Sequence, residues 1–221
     1  MKIRAVVFDY GKVICHPPPD SGMDKIAALS GVRRNVFEPV LWRLRSGYDN
    51  GTLTGIEYYR AVFTEVNADL TDDVLREILE TDFSMWTGIN HETVELMQEI
   101  KNSGLILGIL SNMPFDFLRF ARKEFGVFNL PHVAIFSCEA GVNKPEKAIY
   151  EKLLAAIDMH AAISLYAGAG SCCRPDEVVF FDDIPENVEA ARDLKINACV
   201  WQDCEKARFD LNQLGVRLNR G

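Results

Sequence analysis

Ala5-Val6-Val7-Phe8-Asp9-Tyr10-Gly11-Lys12-Val13 opens the chain with a short apolar run that ends on a carboxylate. The same pattern recurs three times. Leu105-Ile106-Leu107-Gly108-Ile109-Leu110 runs into Ser111-Asn112, Val133-Ala134-Ile135-Phe136 into Ser137, and Val178-Val179-Phe180-Phe181 into Asp182-Asp183. Near-continuous apolar runs of this length fit strands buried on both faces of a parallel sheet. Ligands of such sheets bind beyond the carboxyl ends of the strands. A carboxylate, hydroxyls, the nearby Lys144 ammonium and a carboxylate pair therefore converge at one edge. That set of groups suits Mg²⁺-assisted phosphoryl transfer.

Working outward from these strands, the stretch from about Asp20 to Trp86 carries no strand-like run. Its pattern is helical, with segments at Met23 to Leu29, Val36 to Leu44, Gly55 to Phe63 and Thr71 to Thr81. Thr52 and Thr54 are candidate caps, and Thr71-Asp72-Asp73 is favourable first-turn chemistry. From His91 onward helix and strand alternate. Helices are expected at His91 to Asn102, Phe115 to Phe125, Pro145 to Ala156, Pro185 to Leu194 and Cys204 to Leu214, with Pro145 at the first helical position. Met159 to Asp176, which includes Ala167-Gly168-Ala169-Gly170, reads as an extended loop. The expected fold class is α/β, a doubly wound parallel sheet with a small all-helical cap inserted after the first strand. Residues 1–16 and 91–221 would form the core and residues 17–90 the cap.

Composition narrows the partners. Of 221 residues 48% are hydrophobic, enough for a substantial core. A net charge of −8 without a basic block argues against a nucleic-acid partner. No apolar run approaches the roughly 20 residues that span a bilayer. Met1-Lys2-Ile3-Arg4 leads straight into a strand with no signal-peptide pattern, so a cytoplasmic location is expected. Six cysteines lack CxxC spacing, and the Cys172-Cys173 pair reads as part of a loop rather than a metal or redox site.

Each candidate residue has an ordinary reading beside its chemical one. Asp9 is placed for nucleophilic attack on phosphorus, although a lone Asp after a strand also caps turns. Ser111 and Asn112 can hold phosphoryl oxygens with side-chain and backbone donors. Lys144, in Gly141-Val142-Asn143-Lys144-Pro145, can neutralise the nucleophile and the phosphoryl group. Asp182-Asp183 is the sharpest signal, because adjacent carboxylates at one site call for a cation such as Mg²⁺. Asn187, one turn into the next helix, could brace Lys144 or an acid. Lys12 is expected to point to solvent.

In order, Phe8-Asp9-Tyr10-Gly11-Lys12-Val13, Leu110-Ser111-Asn112, Gly141-Val142-Asn143-Lys144-Pro145 and Phe181-Asp182-Asp183 resemble the four motifs of the haloacid dehalogenase superfamily. The resemblance covers essentially the whole chain. It is greatest to the branch of bacterial sugar-phosphate phosphatases and the N-terminal phosphatase domain of epoxide hydrolases. It implies Asp9 as nucleophile and Mg²⁺ ligand and the Gly11 carbonyl as a further ligand. It also implies Ser111, Asn112 and Gly11 around the phosphate, and Lys144 as orienting cation and phosphate partner. Asp183 would be a direct Mg²⁺ ligand, with Asp182 direct or through water. One departure stands out: most family phosphatases carry an acid/base Asp where this chain has Gly11, a group worth about 10²–10⁴-fold. His16 and Asp20 are candidates to replace it.

The expected function is a Mg²⁺-dependent phosphatase acting on a small phosphorylated metabolite, with a sugar phosphate among the candidates. Trp42, Arg45, Tyr48, Tyr58 and Tyr59 could line the cap side of the pocket, although aromatic residues at helical spacing are more often core. A metal-independent haloacid dehalogenase-type hydrolase is the enzymatic alternative, since a halide leaves without a proton. A phosphate-binding or regulatory homologue with impaired turnover is the other. A phospho-accepting receiver domain fails, because its acid pair lies on the first strand and here the pair comes last. Substrate identity and oligomeric state are not encoded in motifs of this kind.

Overall fold

The computed structural model describes residues 2–164 and 173–218. Five strands, β1 (Ala5–Phe8), β2 (Ile106–Ser111), β3 (Val133–Phe136), β4 (Val178–Asp182) and β5 (Asn197–Val200), form one parallel sheet in the order β3-β2-β1-β4-β5. The helices that interleave with them are α5 (His91–Asn102), α6 (Phe115–Glu124), α7 (Ser137–Ala140), α8 (Lys147–Ser164), α9 (Pro185–Asp193) and α10 (Cys204–Gln213). Four more, α1 (Asp20–Ser30), α2 (Arg34–Asp49), α3 (Gly55–Glu65) and α4 (Asp72–Met85), fall between β1 and β2. The fold is the expected α/β Rossmann-like sheet with a helical insert after its first strand.

The period-2 alternation of a strand explains the two-sided core. Val6 and Phe8 join Leu107, Ile109, Val179 and Phe181 on one face, beneath α5, α6 and α10. Ala5 and Val7 face the other way with Leu110, Val178 and Phe180, against α8 and α9. Each such large side chain, once buried, contributes about 1.5–3 kcal/mol. The central strand has no polar residue until Asp9, because neither face meets water before the sheet ends.

Helices α1 to α4 pack around a third cluster that includes Phe37, Tyr48, Tyr58, Tyr59 and Phe63. Thr54 caps α3 in a capping box with Glu57, and Thr71 caps α4. Thr52 instead bonds the Gly47 carbonyl in the preceding turn, at 2.9 Å. The insert is anchored to the sheet end: Ser137 Oγ donates to the Asp49 carbonyl (2.6 Å) and Asn143 Nδ2 to that of Ser46 (2.9 Å). Entry and exit are joined by an antiparallel bridge between Cys15 and Ile89.

Several boundaries differ from the sequence reading. Helix α8 begins at Lys147 rather than Pro145, and it continues to Ser164 through residues read as loop. The loop reading gave weight to the glycines of 168 and 170, which lie outside the described residues. Met159, His160, Ala161 and Ala162 before them sustain a helix. Cys172 also lies outside the described residues, whereas Cys173 is buried. Strand β5 went unread because Asn197-Ala198-Cys199-Val200 is four residues long and opens on a polar one. Among the described residues no helix is long and apolar enough to cross a membrane.

Candidate active site at the carboxyl edge of the sheet

Asp9 is the first residue past β1, and register fixes its height. Phe8 pairs with Phe181, and the Asp9 N–H donates to the Phe181 carbonyl at 2.9 Å. Asp9 Oδ1 accepts from the Tyr10 N–H at 2.7 Å, which starts a wide turn over Tyr10–Ile14 closed by Cys15 N–H on the Tyr10 carbonyl. Within that turn Lys12 is left-handed, with φ +55°. A residue with a Cβ is disfavoured there by roughly 1–2 kcal/mol. The twist carries the Lys12 ammonium to 3.2 Å from Asp183 Oδ2, so this side chain is ion-paired rather than simply solvated.

Lys144 is the hub. Its side chain is 1% exposed, and its ammonium contacts Asp9 Oδ1 at 2.9 Å, Asp182 Oδ2 at 2.6 Å and the Leu110 carbonyl at 3.0 Å. All three ammonium donors are thereby used. Asn112 holds its backbone from both sides: Asn112 Oδ1 accepts from Lys144 N–H (2.8 Å), and Nδ2 donates to the Lys144 carbonyl (2.9 Å). Burial alone would lower the lysine pKa, but Asp9 and Asp182 hold it above the ordinary value. Burial pushes the Asp9 carboxyl up to about 6; Lys144 pulls it down, and the neighbouring Asp182 charge adds to the rise.

Asp182 is fully buried, and both of its oxygens are satisfied by protein. Oδ1 accepts from the Ile184 N–H at 2.8 Å and from Asn187 Nδ2 at 3.0 Å; Oδ2 accepts from Lys144 and from Asn187 Nδ2 at 3.1 Å. Asn187 thus braces the acid rather than the lysine. One carboxylate oxygen each from Asp9, Asp182 and Asp183 lies within 4.8 Å of the others. This hard, all-oxygen donor set fits a divalent cation that favours carboxylates and water. The remaining lone pairs on Asp9 and Asp183 are better placed to serve it than the committed ones on Asp182.

Above this floor lies a cavity of about 330 Å³ lined by Asp9, Gly11, Ser111, Asn112, Lys144 and Asp183. Its opposite wall comes from the insert: Trp42, Arg45, Asp49 and Trp86. Of the five insert residues expected to line a pocket, Trp42 and Arg45 do so. Tyr48, Tyr58 and Tyr59 are instead buried in the helical core. His16 and Asp20 are not among the lining residues; Asp20 is exposed and pairs with Arg34 at 2.9 Å. Ser137, one of the polar strand ends, is fully buried between Met113 and Asp49. The sequence reading also passed over Asp49 and Trp86. Arg45 and Asp49 stand four residues apart, a helical ion-pair spacing, but the helix was read only to Leu44.

The fold has known counterparts. The model of the family described as haloacid dehalogenase-like hydrolase matches residues 3–195. A HAD family enzyme from Bacteroides thetaiotaomicron superposes with a TM-score of 0.69 at 18% identity, over 98% of this chain and 100% of that one. The same enzyme in complex with magnesium and inorganic phosphate gives 0.67 at 17% identity, over 93% and 98%. L-2-haloacid dehalogenase from Xanthobacter autotrophicus gives 0.60 at 16% identity, over 96% and 83%. The bifunctional epoxide hydrolase 2 of Sus scrofa is 27% identical over 135 residues, which are 59% of this chain but only 22% of that protein. Fold, order of motifs and family match converge: the chain belongs to the haloacid dehalogenase-like hydrolases.

Proposed function

We propose that the protein is a Mg²⁺-dependent phosphomonoesterase for small phosphorylated metabolites, with Asp9 as the nucleophile. The observation that carries this reading is the charge balance around Lys144. Three carboxylates cluster within 4.8 Å against two ammoniums, Lys144, buried and shared between Asp9 and Asp182, and the half-exposed Lys12 on Asp183, which leaves one negative charge over. Such a cluster is costly without further positive charge. A divalent cation held by Asp9, the Gly11 carbonyl and Asp183, with Asp182 behind them through water, would supply that charge and polarise a phosphoryl oxygen. The magnesium and phosphate complex of the Bacteroides relative supports the same reading.

The chain's own residues divide the work. Asp9 attacks phosphorus and becomes an aspartyl-phosphate, which water then cleaves. Lys144 orients Asp9 and offsets the charge of the incoming phosphoryl group. Ser111 contributes its hydroxyl to the phosphoryl oxygens, and Asn112 and Gly11 contribute from the backbone, because the Asn112 amide is spent on Lys144. Helices α1 to α4 act as a lid that selects the substrate and excludes water.

The test is hydrolysis of p-nitrophenyl phosphate and a panel of sugar phosphates, with Mg²⁺ and with EDTA, beside Asp9→Asn. Phosphate release that requires Mg²⁺ and disappears in the variant is the expected result. Halide release from a 2-chloro acid without metal would replace the reading with dehalogenation. Phosphate binding without turnover of either kind would make this a binding homologue.

A further inference from the structure

The phosphatase reading leaves a chemical vacancy. An alkoxide leaving group needs a proton, and Gly11 has no side chain to give one. The donor must then come from elsewhere on the cavity wall, and the titratable lining residues are few: Asp9, Tyr10, Lys12, Arg45, Asp49, Lys144 and Asp183. Asp9 is the nucleophile, and Lys144 has its three donors engaged. Asp183 belongs to the cation group, and the Lys12 ammonium is engaged as its ion-pair partner at 3.2 Å. Tyr10 gives its hydroxyl proton to the Trp86 carbonyl at 2.7 Å, and burial raises its pKa further. Arg45 does not release a proton in a protein. Asp49 remains.

Resting on that reading, we propose that Asp49, reaching the cavity from the last turn of α2, is the general acid and base that replaces the missing Asp at position 11. Its backbone is fixed by Ser137, whose hydroxyl donates to the Asp49 carbonyl at 2.6 Å. Ser137 also accepts from the Met113 N–H at 2.8 Å, which ties Asp49 to the segment following Ser111 and Asn112. Oδ1 accepts from Arg45 Nε at 2.8 Å, and among the described residues Oδ2 makes no hydrogen bond. The side chain is 12% exposed, and burial raises the carboxyl pKa against the pull of Arg45, with Asp82 adding to the rise and Lys144 opposing it. A carboxyl held toward its neutral form is what an acid catalyst requires.

The step balances. An Asp9 oxygen forms a bond to phosphorus as the bond to the ester oxygen breaks, and that oxygen takes the Asp49 proton and leaves as an alcohol. Asp49, now a carboxylate, then accepts a proton from the water whose oxygen attacks the aspartyl-phosphate. The bond from phosphorus to Asp9 breaks, and inorganic phosphate departs with both carboxyl groups restored.

Leaving-group dependence tests this. With Mg²⁺ present, kcat/KM is measured for substituted phenyl phosphates, from p-nitrophenyl phosphate to phenyl phosphate, in wild type and Asp49→Asn. Phenolate needs the proton far more than p-nitrophenolate. The variant should therefore lose about 10²–10⁴-fold on phenyl phosphate and much less on the nitro ester. On the nitro ester it should also release a burst of nitrophenolate ahead of slow turnover, because water activation is lost too. A second variant restores the acid where the family usually keeps it: a Cβ on Gly11 would meet only Trp86 Cζ3 at 3.7 Å and Asp9 Oδ2 at 4.0 Å. Gly11→Asp in the Asp49→Asn background should recover phenyl phosphate turnover.

Equal losses on both esters, or none, would overturn the assignment. Should Asp49→Asn fail to fold, the wild-type series decides alone, since a steep fall in rate toward phenyl phosphate would mean that no acid operates. Phosphate release from neither ester by the wild type would instead remove the phosphatase reading, and the role of Asp49 with it.

Discussion

The Lys12 ammonium sits 3.2 Å from Asp183 Oδ2, on the carboxylate best placed to receive a divalent cation. A cation entering there competes with a charge already tethered to the chain. Half-exposed pairs of this kind are worth about 0.2–1 kcal/mol, so Lys12→Met should tighten Mg²⁺ binding by about 1.4- to fivefold in a calorimetric titration. Unchanged or weaker binding would mean that the pair does not oppose the metal. Lys12→Gly should in addition raise stability by about 1 kcal/mol, because glycine occupies the left-handed region without penalty.

Asp9 should make Mg²⁺ binding pH-dependent. With its carboxyl pushed up to about 6 in the cation-free protein, a proton competes for the same oxygens below that pH. Mg²⁺ affinity should be level above pH 6 and fall as pH drops through it, with proton uptake by buffer visible in calorimetry. The sign for folding is opposite. The folded carboxyl titrates above its unfolded value of 3.8, so its contribution to cation-free stability is present below 3.8 and is lost as pH rises toward 6.

Removing the hub charge should be severe. Lys144→Met leaves Asp9 and Asp182 buried side by side without their shared ammonium. A loss of about 3–5 kcal/mol is expected in urea unfolding of the cation-free protein. Saturating Mg²⁺ should stabilise the variant by more than it stabilises the wild type, which a purely packing defect would not produce.

Asn112→Ala separates the scaffold role from the phosphate role. Two hydrogen bonds to the Lys144 backbone vanish, at a cost of about 1–3 kcal/mol. Asn112→Asp keeps the acceptor for Lys144 N–H but sets a carboxylate oxygen against the Lys144 carbonyl, and should cost at least as much as the alanine. If Asn112→Ala unfolds at the wild-type urea midpoint, the amide does not hold the lysine.

Much of this fold was legible because its strands are buried on both faces. Val178-Val179-Phe180-Phe181 fits a buried strand of a parallel sheet, and a polar residue directly after such a run stands at the sheet's carboxyl edge. That logic locates Asp9, Ser111 and Asp182 without coordinates. It fails where a residue's role depends on a long-range partner. Nothing in the sequence says that the Asn112 amide is spent on Lys144, or that a left-handed backbone turns Lys12 onto Asp183. Trp86 and Asp49 were illegible for the same reason, since a cavity wall forms only when two separate chain segments meet. Strand β5 was lost because Asn197 cuts its apolar run to three residues, whereas β3, as short and also at an edge, is apolar throughout.

The bridge between Cys15 and Ile89 has a consequence of its own. His16 N–H donates to the Gly88 carbonyl at 2.7 Å, and Asn90 N–H to that of Ile14 at 2.9 Å, so the outgoing and returning chain run side by side through one narrow doorway. Whatever is spliced beyond that doorway leaves the register of the sheet, and every charge on its edge, where it was. A set of helices exchanged between the same two points would bring a new wall of side chains to the sheet edge, and would have to bring a carboxyl in place of Asp49 with it. Natural drift and the bench could use the same two splice points to change what the cavity admits, provided that the proton donor travels with the insert.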